Sequence, residues 1–370
     1  MTLSFRFPPQ ENYDCLQCGK CCSAPWTIPL ETEFVDRFKD HPVSLRVIEE
    51  HGSLFQQSDT GDWTLQHHNG CGFLGSAKKC TIHSQFGAES KPRVCQLYPF
   101  TLTDTPDGVF VGTSFYCTSV EQNSGRPLSQ HQPWLEAIVA RGGRVYKVDE
   151  HNLCARPHVN TEWSDYLAFE ARLARPQDVD RALLTCALAP EGRLEEHWRS
   201  GHLAADLKLV ETLIESAGFA VLKRFLSEER PECLERIETA YLEGKPLALE
   251  EFNWTGSWAD LQKFQQQAVG RPFHQQMVRW HAMQVHRKAL LAPGCILDQL
   301  WTLAVVPIFV FTLAALYTWK RGHSEVRKQE FGSALEQAEL YLGSNGLLLS
   351  RLAPSLSRHL LETLVEQTKG

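Results

Sequence analysis

Cys15-Leu16-Gln17-Cys18-Gly19-Lys20-Cys21-Cys22 places four of the chain's twelve cysteines within one short run. A tight turn presents residues three apart to the same point. The C-x-x-C-x-x-C spacing therefore lets successive sulfurs converge on one centre, the logic of zinc knuckles and iron–sulfur loops. Gly19 suits a turn with no room for a Cβ. Partners follow downstream at Cys71, Cys80, Cys95 and Cys117. Cys15, Cys18, Cys21, Cys22, Cys71, Cys80, Cys95 and Cys117 are the candidate metal ligands. Cys154, Cys186, Cys233 and Cys295 stand isolated among helix-like residues and read as buried thiols.

Working outward, a chain of 370 residues exceeds what one core normally organises, so two domains are expected. A formal net charge of −7 disfavours a general electrostatic grip on nucleic acid, and no nucleic-acid partner is expected. The first ten residues carry one Arg and no long apolar run, unlike a secretory signal. The expected location is the cytoplasm, whose reducing conditions favour metal-bound or buried thiols over a disulfide framework. A bond between the neighbours Cys21 and Cys22 would be strained in any case.

Residues 3–7 alternate like a short strand that Pro8-Pro9 ends. Leu30, Phe34 and Phe38 predict a short helix, residues 42–50 a second, and Asp62–Gln66 a strand in an otherwise loop-like stretch. Phe100–Thr103 and Val109–Phe115 flank Thr105-Pro106-Asp107-Gly108, a strong hairpin signal. Pro127 to Ala140 predicts a helix that Arg141-Gly142-Gly143 breaks. After Thr161 almost no strand signal remains. Leu203, Leu207, Val210 and Ile214 mark one amphipathic helix, and Leu352, Leu356, Leu360 and Leu364 another.

Leu300–Trp319 has no charged residue and is long enough to cross a bilayer, with Pro307 inside it. A central helix covered on all sides has the same composition, so burial and membrane association both stand as readings of residues 300–319. The fold class expected is α+β. A small, irregular, cysteine-rich metal-binding domain with a few short strands covers residues 1–150. An all-helical domain covers 151–370.

Zinc takes four thiolates in a tetrahedron, and a [4Fe–4S] cube takes one thiolate per iron. Three sulfurs at x-x spacing favour the cube over zinc, because a cube offers separate corners to successive residues. No paired histidines of the zinc-finger kind follow. His67, His68 and His83 read as surface groups, and His274, His281 and His286, with Trp280, as a polar helix face. There is no G-x-G-x-x-G loop, Walker A sequence, HExxH helix or G-x-S-x-G elbow, so no catalytic residue is assigned.

The cysteine run, with Cys71-Gly72-Phe73-Leu74, Cys80-Thr81-Ile82-His83 and Lys91-Pro92-Arg93-Val94-Cys95-Gln96-Leu97-Tyr98-Pro99-Phe100, resembles the YkgJ-type cysteine-cluster family over residues 13–120. That resemblance implies a zinc- or iron-chelating domain and carries the ligand role to the seven cysteines from Cys15 to Cys95, with Cys117 an eighth. The family includes flagellin lysine-N-methylases, which implies an alternative identity as a protein-lysine N-methyltransferase using S-adenosylmethionine. The leading expectation is a metal-cluster protein, iron–sulfur or zinc, with redox activity among its roles. A third expectation is an assembly or binding factor with a protein partner, associated with a membrane through residues 300–319.

Overall fold

Short strands and short helices build the first half of the chain, and long helices the second. The computed structural model describes residues 3–367, apart from 69, 203, 228–232 and 343–346. It divides into two units, between Lys147 and Val148.

In the first unit, β1 (Phe5–Arg6) and β2 (Asn12–Tyr13) precede the cysteine run, whose end is the helical turn α1 (Lys20–Ser23). Then come β3 (Ile28–Leu30), α2 (Thr32–Phe38), α3 (Pro42–His51), β4 (Phe55–Gln57) and β5 (Trp63–Leu65). These three strands form an antiparallel sheet in the order β3-β5-β4. Only β5 and the two helices carry a sequence signal. β3 and β4 are three residues long, too short for alternation to register. The next elements are α4 (Thr81–Phe86) and α5 (Arg93–Leu97), both close to cysteines.

The expected hairpin is present as β6 (Phe100–Thr105) and β7 (Gly108–Thr113), paired Phe100 to Thr113 through Thr105 to Gly108. Thr105 Oγ1 accepts from the Asp107 amide (3.2 Å), which closes the Pro106-Asp107 turn. A Cβ on Gly108, at φ +121°, would lie 2.4 Å from the Ser4 carbonyl oxygen. The close approach lets β1 pair in parallel with β7. After α6 (Thr118–Glu121), β8 (Arg126–Pro127) pairs with β2. α7 (Gln132–Ala140) and β9 (Tyr146–Lys147), which pairs in parallel with β6, complete the unit. Its core gathers Ile28, Phe34, Phe38, Leu54, Phe73 and Ile82, and both Cys22 and Cys71 are buried in it.

The second unit is mainly helical but not wholly so. β10 (Leu153–Arg156) and β11 (Val159–Thr161) form one hairpin. After α8 (Trp163–Glu170), α9 (Val179–Leu188), α10 (Leu194–Ser200), α11 (Ala204–Leu226) and α12 (Cys233–Leu242), the strands β12 (Leu247–Leu249) and β13 (Trp254–Gly256) form another. The all-helical expectation for 151–370 is corrected by these two hairpins. Each strand has three or four residues, and the turns use His158 and Asn253 at positive φ rather than a glycine signal. The helices α13 (Trp258–Ala268), α14 (Arg271–His286), α15 (Ile296–Lys320), α16 (Lys328–Tyr341) and α17 (Leu347–Gln367) follow. Leu203, expected at the start of α11, lies outside the described residues.

The apolar stretch at 300–319 is the body of α15. In its most apolar window 72% of the helix is buried, against α9, α11, α13, α14, α16 and α17. Two further expectations change. Trp280 and His281 on α14 are buried rather than on a polar face, and His281 Nε2 lies 2.7 Å from the Leu173 carbonyl. Cys154 and Cys295 are joined as a disulfide rather than held as separate thiols, because β10 packs against α15 where Cys295 caps it. Cys186 is a buried thiol donating to the Ala155 carbonyl (3.1 Å). The Cys233 side chain lies outside what the structure describes.

Candidate metal centre

The cysteine run turns where Gly19 takes the left-handed conformation (φ +70°) and caps α1. Its carbonyl accepts from the Cys22 amide (2.9 Å) and the Ser23 amide (3.1 Å). A Cβ here would lie 2.1 Å from the Lys78 carbonyl oxygen and 2.9 Å from Leu74 Cδ1. Glycine thus lets the run seat directly on the loop leading to Cys80. The Cys71 amide donates to the Cys22 carbonyl (2.6 Å), and the Thr81 amide to the Phe73 carbonyl (2.8 Å). Two isolated bridges, His67 to Cys71 and Leu74 to Cys80, hold that loop in shape. Cys80 stands at the N-cap of α4.

Cys95 sits within α5, whose start is pinned by Glu31. The Glu31 carboxylate accepts the Arg93 amide (3.1 Å) and faces its guanidinium (3.3 Å). Gln96 braces the other side, donating to the carbonyls of Glu89 (2.9 Å) and Lys91 (2.6 Å). Cys117 caps α6.

These elements bring the Cys22 thiol near the thiols of Cys21, Cys71 and Cys80, and all three act on its titration. The Cys22 thiol is pushed far up by those three sulfurs and by burial. The neighbouring Cys22 thiol holds two of the three down, Cys21 to about 7 and Cys80 to about 6. Lys91 adds to the lowering at both. Half-buried Cys95 is electrostatically coupled to Cys71, Cys21 and Cys80, and burial pushes its thiol up. Cys15 and Cys18 are exposed. Burial first, and then Cys15 and Cys117, push the Tyr13 hydroxyl up. Cys117 is raised to about 11, by burial first, and feels Cys21 and Cys18. The eight cysteines thus fall into an inner set (Cys21, Cys22, Cys71, Cys80 and Cys95) and a rim (Cys15, Cys18 and Cys117).

Aromatic side chains wall the rim. Trp26 packs against Tyr98 (5.3 Å between ring centres) and Tyr116 (5.0 Å), and its indole donates to the Cys21 carbonyl (3.0 Å). Trp26, Tyr13 and the charge of Lys91 belong to no recognisable motif. The signal was position alone, since Tyr13 and Trp26 flank the run and Lys91 lies four residues before Cys95. Of the histidines, His68 stacks on His51 and meets the Ser53 carbonyl (2.8 Å), while His83 is shifted down by burial and Lys91.

Among the described residues, no group of three or more His, Cys, Asp or Glu side chains is already arranged to hold a metal ion. What fits a metal is the donor set itself. Cysteine sulfurs are the soft ligands that zinc and iron–sulfur centres take.

Residues 14–122 match the model of the CxxCxxCC family, described as a "putative zinc- or iron-chelating domain". No curated protein matches the chain, and no solved structure does. The matched segment, which is similar to that domain, spans the run, the bridged loop, α5 and Cys117.

Proposed function

We propose that residues 14–122 hold a metal through cysteine thiolates, and that the centre is an iron–sulfur cluster of the [4Fe–4S] type rather than zinc. The gathering of Cys21, Cys71 and Cys80 around Cys22, close enough to act on its thiol, carries this reading. Hard cations such as calcium and magnesium take oxygen ligands, so a donor set of this kind selects softer metals. A cube takes one thiolate per iron, and Cys21, Cys22, Cys71 and Cys80 supply four from three separate segments of chain. Cys95 and the rim cysteines are further donors.

The chain's own residues serve such a centre in three ways. Gly19 and the Cys71–Cys22 backbone bond fix the approach of the two main cysteine segments. Trp26, Tyr98 and Tyr116 restrict water at the rim. Lys91 offsets thiolate charge. A bound iron–sulfur cluster supplies one-electron transfer, which is the redox role proposed here.

Anaerobic purification followed by metal and acid-labile sulfide analysis tests the reading. A brown protein with iron and sulfide in equal amounts is expected. Colourless protein with stoichiometric zinc and no sulfide would replace the cluster by a structural zinc site. Protein that takes up neither metal would overturn the proposal altogether.

A further inference from the structure

The arginines of residues 156–199 fall into two kinds. Arg172 and Arg199 pair with Glu195 (2.6 and 2.7 Å), Arg175 with Asp178 (2.9 Å) and Arg193 with Glu191 (2.6 Å). Arg156 and Arg181 pair with no carboxylate among the described residues. Arg156 Nε donates to the Ala187 carbonyl (2.9 Å). Arg181 donates to the Trp198 carbonyl, and its guanidinium lies over the Trp198 ring, 4.6 Å from the centre. Backbone carbonyls and an aromatic face orient these two cations without neutralising them.

Both also hold a nitrogen in reserve. Arg156 Nη1 and Arg181 Nε are buried and meet no hydrogen-bond partner, and the same is true of His197 Nε2. The three belong to one neighbourhood. Arg181 and Thr185 lie one turn apart on α9, and Thr185 Oγ1 bonds His202 Nε2 (2.8 Å). The His197 and His202 rings meet edge to face at 5.1 Å. Arg156 reaches the same helix at Ala187 and acts on His197, as Arg181 acts on His202. Buried donors without partners are rare in folded proteins, and a water molecule would satisfy hydrogen bonds without balancing two guanidinium charges.

We propose that Arg156, Arg181, His197 and His202 form a binding site in the second unit for a phosphate-class oxyanion, either the free ion or the terminal phosphate of a phosphomonoester. Guanidinium groups match the geometry of phosphate oxygens, and guanidinium with imidazole donors suits a tetrahedral anion. The site is independent of the cysteine centre and of the reading given for it.

The test is calorimetric titration of the full chain, purified with its metal, in phosphate-free buffer. The probes are inorganic phosphate, glycerol phosphate, acetate and chloride. A saturable response to one or both phosphates, with none to acetate or chloride, is expected. The tighter of the two phosphates identifies the free ion or the ester as the ligand. Arg156→Gln and Arg181→Gln should each weaken binding by about tenfold or more, since each removes a charge-assisted bond. Arg193→Gln, at an exposed surface pair, should leave it unchanged. Phosphate should also move the ring signals of His197 and His202 in the NMR spectrum of the unmodified chain, a readout that needs no variant to fold. Absence of both saturable heat and ring shifts overturns the proposal. So does a response that survives both arginine changes, or acetate binding as tight as phosphate.

Discussion

Gly19 joins a positive φ to a backbone contact that no side chain fits, and both penalties fall on one substitution. Gly19→Ala should destabilise the first unit by about 2 kcal/mol or more, since the left-handed strain adds to a clash with a carbonyl that cannot swing aside. Thermal unfolding followed with metal retention checks it; an unchanged melt with full metal content would refute it. Cys22 is the buried thiol on which three others act, so Cys22→Ser should abolish metal binding, while Cys186→Ser, at a lone buried thiol in the other unit, should leave the metal content unchanged. Metal-to-protein ratios of the two variants decide. Burial, then His197 and Arg181, holds the His202 imidazole down to about 4, against an ordinary 6.5. Between those values the unfolded chain binds a proton that the folded chain refuses, so stability rises with pH across that window and falls as pH drops from 6.5 toward 4. His197 and His281 shift in the same direction. A melting temperature of the second unit that stays flat from pH 7 to 4 would contradict this. At this scale the turn at Gly19 was legible, because a glycine inside the cysteine run carries it in the sequence. The division into inner set and rim was not, because it depends on how three distant segments pack. Nor was the pairing of Cys154 with Cys295, since neither has a neighbouring cysteine to suggest it.

The central element of the second unit is α15, apolar over most of its length and covered by six other helices among the described residues. Leu313 on it is fully buried, so Leu313→Ala should cost about 2–5 kcal/mol through lost burial and the cavity left behind. Chemical denaturation of the second unit's helical signal measures it, and a loss under about 1 kcal/mol would mean the site collapses around the smaller side chain or is not packed as described. A close crossing supports the packing: a Cβ on Gly218 of α11 would lie 2.7 Å from Ile308 Cγ2 of α15. From the sequence this helix was plain in extent but ambiguous in setting, because composition cannot distinguish a cover of lipid from one of protein. Hairpins differed in legibility for a related reason. β6 and β7 have six residues each around Pro-Asp-Gly, whereas β12 and β13 have three and turn at Asn253. A strand must show at least two alternations before its period separates from chance.

The whole molecule carries two units that the chain connects at Lys147 and Val148. The first depends on few and short elements around its cysteines, and the second on long helices with an extensive apolar interior. Ligation contributes directly to folding where regular structure is sparse. Stripping the metal with a chelator should therefore open the first unit to proteases while the helical circular dichroism, which comes mostly from residues 148–370, persists. Loss of both together would show that the second unit does not stand on its own core.

The bond between Cys154 and Cys295 spans 141 positions and makes a covalent ring of α8 to α14 with their connecting strands. A protease cut inside that ring, for example after Lys245 beside the exposed Leu242, opens the ring without releasing a fragment. Such a nicked chain keeps its full mass on a denaturing gel run without reductant and separates into two bands once a thiol is added. Proteolysis of this protein judged by size alone would therefore undercount every cut that falls between the two cysteines.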